Sequence, residues 1–113
     1  MNSERSDQLR WYHLGEAEEL RRKKASEFVV ADKIVAVFFE NENWYAIDSV
    51  CAHQGGPLVR GIVADGCVTC PWHGWRYNLA NGCNTVTGKQ MLHVYPVRLI
   101  DGSVEIGIAP DNQ

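Results

Sequence analysis

Two short segments hold the residues most able to do chemistry. Cys51-Ala52-His53 and, after sixteen intervening residues, Cys70-Pro71-Trp72-His73 supply two thiols and two imidazoles in the patterns Cys-x-His and Cys-x-x-His. A single cysteine is most often a small buried hydrophobe, and a single histidine a hydrogen-bonded structural residue. Four together, each pair followed by turn-forming residues, read instead as a metal site. Two Cys and two His suit a tetrahedral structural zinc as well as an iron-sulfur centre, so ligand count leaves the metal open. Cys67 and Cys70 also form a Cys-x-x-Cys, which invites a zinc or thioredoxin-like reading. If residues 67–70 are the second strand of a hairpin, however, side chains three apart point to opposite faces. Cys67 is then expected to be a buried thiol and Cys83, after Asn81-Gly82, a free one. His13 and His93 lack ligand-like spacing and read as structural or surface residues.

The segments around these residues read mainly as strands. Phe28-Val29-Val30, Ile34 to Phe39 and Trp44 to Val50 are each bounded by polar or turn residues. Val104, Ile106 and Ile108 alternate with Ser103, Glu105 and Gly107, and Tyr95, Val97 and Leu99 form a second period-two set before them. Asp101-Gly102 is expected to join these two as a tight hairpin, and Asp65-Gly66 and Asn81-Gly82 to mark two more. One short helical turn is expected within Gly15 to Lys24, where acidic residues precede basic ones in the order the helix dipole favours. No helical crossover is available for a parallel sheet, so the expected fold is all-β, an antiparallel β-sandwich or small barrel. Six of the ten glycines (Gly55, Gly56, Gly61, Gly66, Gly74, Gly82) lie between residues 51 and 82, marking a loop-rich functional subdomain within one domain spanning 1–113.

Composition narrows the function classes. The chain has 113 residues, 45% hydrophobic and 22% charged, which suits one small globular domain. A formal charge of -3 gives no basic footprint for nucleic acid or an anionic membrane. The longest apolar run, Ile34 to Phe39, is far shorter than the roughly 18 residues a spanning helix needs. The N-terminus lacks an apolar stretch after its charges, so a cytoplasmic, reducing location is the expectation, with a monomer as the default. Arg21-Arg22-Lys23-Lys24 reads as a solvated surface, with partner docking as the second reading, and Trp11 and Trp44 as the base of the sandwich.

The wording around the ligands is more specific than their count. The loops C-A-H-Q-G-G-P-L (51 to 58) and C-P-W-H-G-W-R-Y-N-L (70 to 79), with Gly61, Tyr95-Pro96-Val97 and Asp101-Gly102, resemble the Rieske [2Fe-2S] ferredoxin family from Trp11 to Ile108. The resemblance implies a Rieske-type β-sandwich with a cluster-binding subdomain. It also implies one [2Fe-2S] cluster, with Cys51 and Cys70 on one iron as thiolates and His53 and His73 on the other through ring nitrogens. Glycines and prolines in the loops (Gly55, Gly56, Pro57, Pro71, Gly74) would let the backbone approach the cluster and stiffen it, while Trp72 and Trp75 would cover it.

Departures from the family pattern bear on the potential. High-potential relatives carry a disulfide between the two loops, and here Gly56 and Trp72 occupy those cysteine positions. They also carry a serine that donates to a cluster sulfur; Trp75 stands in its place, although Tyr77 keeps the second donor position. Fewer donors imply a potential near the low end of the Rieske range, about -150 mV. The stretch 82–91 lacks the proline of the third covering loop.

The resemblance implies a one-electron carrier without substrate chemistry of its own. It would accept electrons from a flavin-dependent reductase and pass them to a terminal oxygenase or another oxidoreductase. At 113 residues, no mononuclear-iron catalytic domain is expected beside this one. The alternatives are a small Rieske subunit of a larger assembly similar to nitrite reductase and, from the ligands alone, a structural zinc module.

Overall fold

The computed structural model describes residues 9–52, 55–72 and 74–110. Among these residues three antiparallel sheets carry the fold. The first orders β1 (Arg10–Glu16), β10 (Ser103–Ile108) and β9 (Val97–Ile100). The second runs β2 (Ala25–Val30), β3 (Lys33–Glu40), β4 (Asn43–Asp48) and β8 (Val94–Tyr95). The third, β5 (Ile62–Ala64), β6 (Cys67–Thr69) and β7 (Arg76–Asn78), belongs to the glycine-rich segment. The fold is the expected antiparallel all-β architecture.

Four two-residue turns set the registers. Ala31-Asp32, Asn41-Glu42, Asp65-Gly66 and Asp101-Gly102 all have positive φ at both central residues, and each joins directly paired strand ends. This is the type I′ geometry, whose twist matches that of the flanking strands. The first two turns carry no glycine, so the paired strands impose a backbone that their residue types alone do not announce. Asn81-Gly82 behaves differently from expectation. Only Gly82 has positive φ, and the chain returns through isolated bridges at Cys83 and Asn84 rather than through a strand.

The unbroken apolar run of β3 is explained by burial on both faces. Val35 and Val37 pack with Ala46, Tyr95, Ile106 and Ile108 between the first two sheets. Ala36 and Phe38 pack on the other side with Ile47, Leu58, Val68, Tyr77 and Leu79 under the third sheet. Two expectations are corrected here. Residues 10–16, not expected as a strand, form β1, with Tyr12 and Leu14 half-buried against the core. Tyr95 to Leu99, expected as one strand, is split at Pro96: β8 pairs with β4 and β9 with β10. Proline has no N–H for a ladder, while its carbonyl accepts Gly107 N–H, so the chain changes sheets there.

The helix α1 (Ala17–Lys23) falls within the expected segment, with Glu18 and Glu19 in its first turn and Arg21, Arg22 and Lys23 in its last. Ala17 and Leu20 bury against Val104. Among the described residues no helix is long and apolar enough to cross a membrane.

Candidate metal centre

Both cysteine loops grow from strand ends. Beyond β4, Ser49 leads into a small closed turn in which Val50 bridges Pro57, Cys51 N–H donates to Gly56 O, and Gly55 N–H donates to Cys51 O, both at 2.9 Å. Leu58, fully buried, anchors its far side. The second loop links β6 to β7. It is closed by Cys70 N–H donating to Trp75 O at 2.7 Å, and Gly74 turns it at φ +73°.

The two loops meet at their sulfurs. Cys51 and Cys70 are 3% and 2% exposed, share one apolar cluster, and interact directly through their thiols. Gly56 is what permits this approach: a Cβ there would stand 2.6 Å from the Cys70 sulfur and 3.2 Å from Trp72 Cβ. Gly56 and Trp72, at the positions of the bridging cysteines in high-potential relatives, are thus packed against each other. The Tyr77 hydroxyl, on a fully buried ring, lies 3.2 Å from Cys51 Sγ, and Trp72 N–H donates to Cys70 Sγ at 3.4 Å.

Electrostatics follow from this packing. Burial pushes the Cys70 thiol above its ordinary pKa; the Trp72 N–H opposes the rise and the neighbouring Cys51 adds to it. Burial, reinforced by Cys51, likewise raises the Tyr77 phenol, which stays neutral. Two adjacent buried thiols resist carrying two negative charges unless a cation compensates, which is the chemistry of a metal-thiolate site.

Of the expected site residues, the fold brings together Cys51, Cys70, Gly56, Trp72 and Tyr77, with Gly55 and Pro57 closing the first loop. Pro71 and Gly74 are exposed in the second loop, Trp72 is 49% exposed, and Trp75 is half-buried against the apolar cluster. His53 and His73 lie outside the described residues. None of the four cysteines forms a disulfide. Cys67 is buried as expected and pairs with Asn78, whose N–H donates to Cys83 O on its other side. Cys67 and Cys83 are therefore two strand spacings apart, about 10 Å, beyond the reach of a disulfide.

The remaining residues read from the sequence play structural parts. His13 and His93 are exposed. Trp11 carries the Arg98 guanidinium 4.1 Å over its ring, and Trp44 packs on Phe39 at 4.7 Å with Arg21 above both. Within the basic run, Lys23 also pairs with Glu19 at 3.4 Å.

Sequence reasoning missed three supporting side chains. Asn84, 5% exposed, accepts Val86 N–H and Thr87 N–H at its amide oxygen, folding the loop beside Trp75 without the family's proline. Its type is the signal for such an Asx turn. Asp48 takes His93 N–H at 2.8 Å and the Tyr95 hydroxyl at 2.7 Å, and Ser49 donates to the Glu27 carboxylate. No local pattern announces either contact.

Comparison with known proteins agrees with this geometry. A family model for the Rieske [2Fe-2S] domain matches residues 10–96. The anthranilate 1,2-dioxygenase ferredoxin subunit of Burkholderia cepacia is 33% identical over 101 residues, covering 87% of this chain and 92% of its own length. Among solved structures, a protein assigned as the small subunit of an NADH-dependent nitrite reductase from Mycobacterium tuberculosis superposes with a TM-score of 0.83 at 21% identity, over 91% of this chain and 98% of its own. A chain from a complex of reduced oxygenase and oxidized ferredoxin in carbazole 1,9a-dioxygenase gives 0.78 at 21%, over 91% and 97%. At these identities the two structures speak to the fold.

Proposed function

The chain belongs to the Rieske [2Fe-2S] family, and from that premise we propose that Cys51, His53, Cys70 and His73 hold its single cluster, the cysteines on one iron and the histidines on the other. The protein is a one-electron carrier, and family membership sets the zinc-module reading aside. The observation that carries the ligand assignment is the meeting of the Cys51 and Cys70 sulfurs, buried and within reach of the Tyr77 hydroxyl and the Trp72 N–H. The bound cluster supplies uptake and return of one electron, and two neutral imidazoles in place of two thiolates make that uptake easier.

The chain's own residues tune and shield the site. Tyr77 and the Trp72 N–H each offer a donor to a cysteine sulfur, which stabilises added negative charge there. Gly56 keeps the loops in contact, and Trp72 and Trp75 screen their rim. The carrier takes electrons from a flavin-dependent reductase and delivers them to a terminal oxygenase, acting as a monomer in the cytoplasm. Similarity to a dioxygenase ferredoxin subunit over 92% of that protein's length supports this route.

The test begins with an absorption spectrum, iron and acid-labile sulfide quantified on the same sample, and electron paramagnetic resonance after dithionite reduction. Iron and sulfide in equal amount with a rhombic signal of low average g is the expected result, and loss of both in Cys51→Ser and His73→Ala checks the ligands. Stopped-flow mixing with an NADH-reduced flavoprotein ferredoxin reductase then tests the donor. Bleaching no faster than with NADH alone overturns that part.

A further inference from the structure

Ser49 stands two residues before Cys51 at the root of the first loop, fully buried. Three contacts fasten it. Its N–H donates to Ile34 O at 2.8 Å, its carbonyl accepts Leu58 N–H at 2.9 Å, and its hydroxyl donates to the Glu27 carboxylate. Glu27 lies on β2, where it pairs with Ala36 of β3, and Ala36 pairs with Ile47 of β4. Its side chain therefore spans the width of β3 to reach Ser49.

Beyond this root the loop is closed mainly on itself, by Cys51 with Gly56, Gly55 with Cys51, and Val50 with Pro57. A loop closed in that way takes its orientation from where it is fastened. Tyr77, the donor facing Cys51, belongs to a different sheet, so the 3.2 Å approach of its hydroxyl to the sulfur depends on how the root is held. Glu27 is exposed, so its charge is partly hydrated; the strength of the contact lies in the buried Ser49 hydroxyl, which is costly to leave without its acceptor.

Resting on the reading of Cys51 as a cluster ligand, we propose that Glu27, acting through Ser49, is a positioning residue that holds the Cys51 sulfur against the Tyr77 hydroxyl and thereby helps to set the reduction potential. The carboxylate touches neither sulfur nor any reacting atom; its effect is carried by the loop.

The experiment compares the full-length, cluster-loaded wild type with Ser49→Ala, Glu27→Gln, Tyr77→Phe and the Ser49→Ala/Tyr77→Phe double variant, reading midpoint potential and amide hydrogen exchange at Cys51 and Leu58. Ser49→Ala is expected to lower the potential in the same direction as Tyr77→Phe. The double variant is expected to fall little below Tyr77→Phe alone, because both remove one interaction. Glu27→Gln, which keeps an acceptor oxygen, should stay near the wild type, and Leu58 exchange should quicken about tenfold in Ser49→Ala. Additive shifts, or an unmoved potential in Ser49→Ala, overturn the proposal. So does a Glu27→Gln potential well above the wild type, which would show a charge effect. If Ser49→Ala does not fold, Glu27→Leu replaces it in the same cycle. A wild type without equal iron and sulfide overturns the ligand reading instead, so the two failures are distinct.

Discussion

The Tyr77 hydroxyl and the Cys51 sulfur, 26 residues apart in the chain, lie 3.2 Å from each other inside the apolar cluster that joins the second and third sheets. A neutral phenol in that position favours negative charge on the sulfur, such as a bound cluster would add there on reduction. Tyr77→Phe should therefore lower the midpoint potential. A differential of about 1 kcal/mol corresponds to about 40 mV for a one-electron couple. Trp75→Ser, which restores a hydroxyl at the position where high-potential relatives carry one, should raise it. The wild type itself should titrate near the low end of the Rieske range, about -150 mV, by redox titration followed optically. A value well above zero would contradict the donor count.

Gly56 has no room for a side chain. A methyl group there would meet Cys70 Sγ at 2.6 Å and Trp72 Cγ at 3.1 Å, so Gly56→Ala must part the loops. Iron and sulfide content should fall to a fraction of wild type while the β-sheet circular dichroism is retained. Full cluster occupancy in this variant would show that the two loops stand further apart in the loaded protein.

The alkaline limb of stability should be set by buried tyrosines. Burial first, and then the Asp48 carboxylate, push the Tyr95 phenol well above the ordinary 10. A group whose folded pKa is raised contributes stability below its unfolded pKa and loses it as pH rises towards the folded value. Melting temperature should thus hold below about pH 10 and decline above it. Tyr95→Phe should cost about 1 kcal/mol at neutral pH through the lost hydrogen bond and should flatten the alkaline decline. An unchanged slope in that variant would assign the decline elsewhere.

Thiol reactivity should report the site. In the native loaded protein only Cys83, which is half-buried, should react readily with a thiol reagent, because Cys67 is buried and Cys51 and Cys70 are the proposed ligands. Removing the cluster by chelation under reducing conditions should lower the melting temperature, since a group that binds only the folded state stabilises it. All four thiols should then titrate after unfolding. A second rapid native thiol in the loaded protein, identified by mass spectrometry as Cys51 or Cys70, would contradict the ligand assignment.

The proposed chemistry and the outline of the architecture are legible in residue order. Cys-x-His and Cys-x-x-His are local spacings, the Asp-Gly turns at 65–66 and 101–102 are local backbone preferences, and the run Ile34 to Phe39 is legible because both faces of a central strand are buried. From such signals came the metal site, the all-β fold and the place of the helix. Tertiary structure alone decided what lies across the ladders. It made a strand of residues 10–16, forced tight turns at Ala31-Asp32 and Asn41-Glu42 without glycine, and sent the two sides of Pro96 into different sheets. It set Tyr77 against Cys51, Glu27 against Ser49 and Asp48 against Tyr95, contacts spanning 26, 22 and 47 residues. Residue type and local spacing fix which groups can hold a metal, because those preferences act over a few bonds. The partners of those groups depend on strand register and sheet packing, which arise only when the whole apolar surface is buried at once.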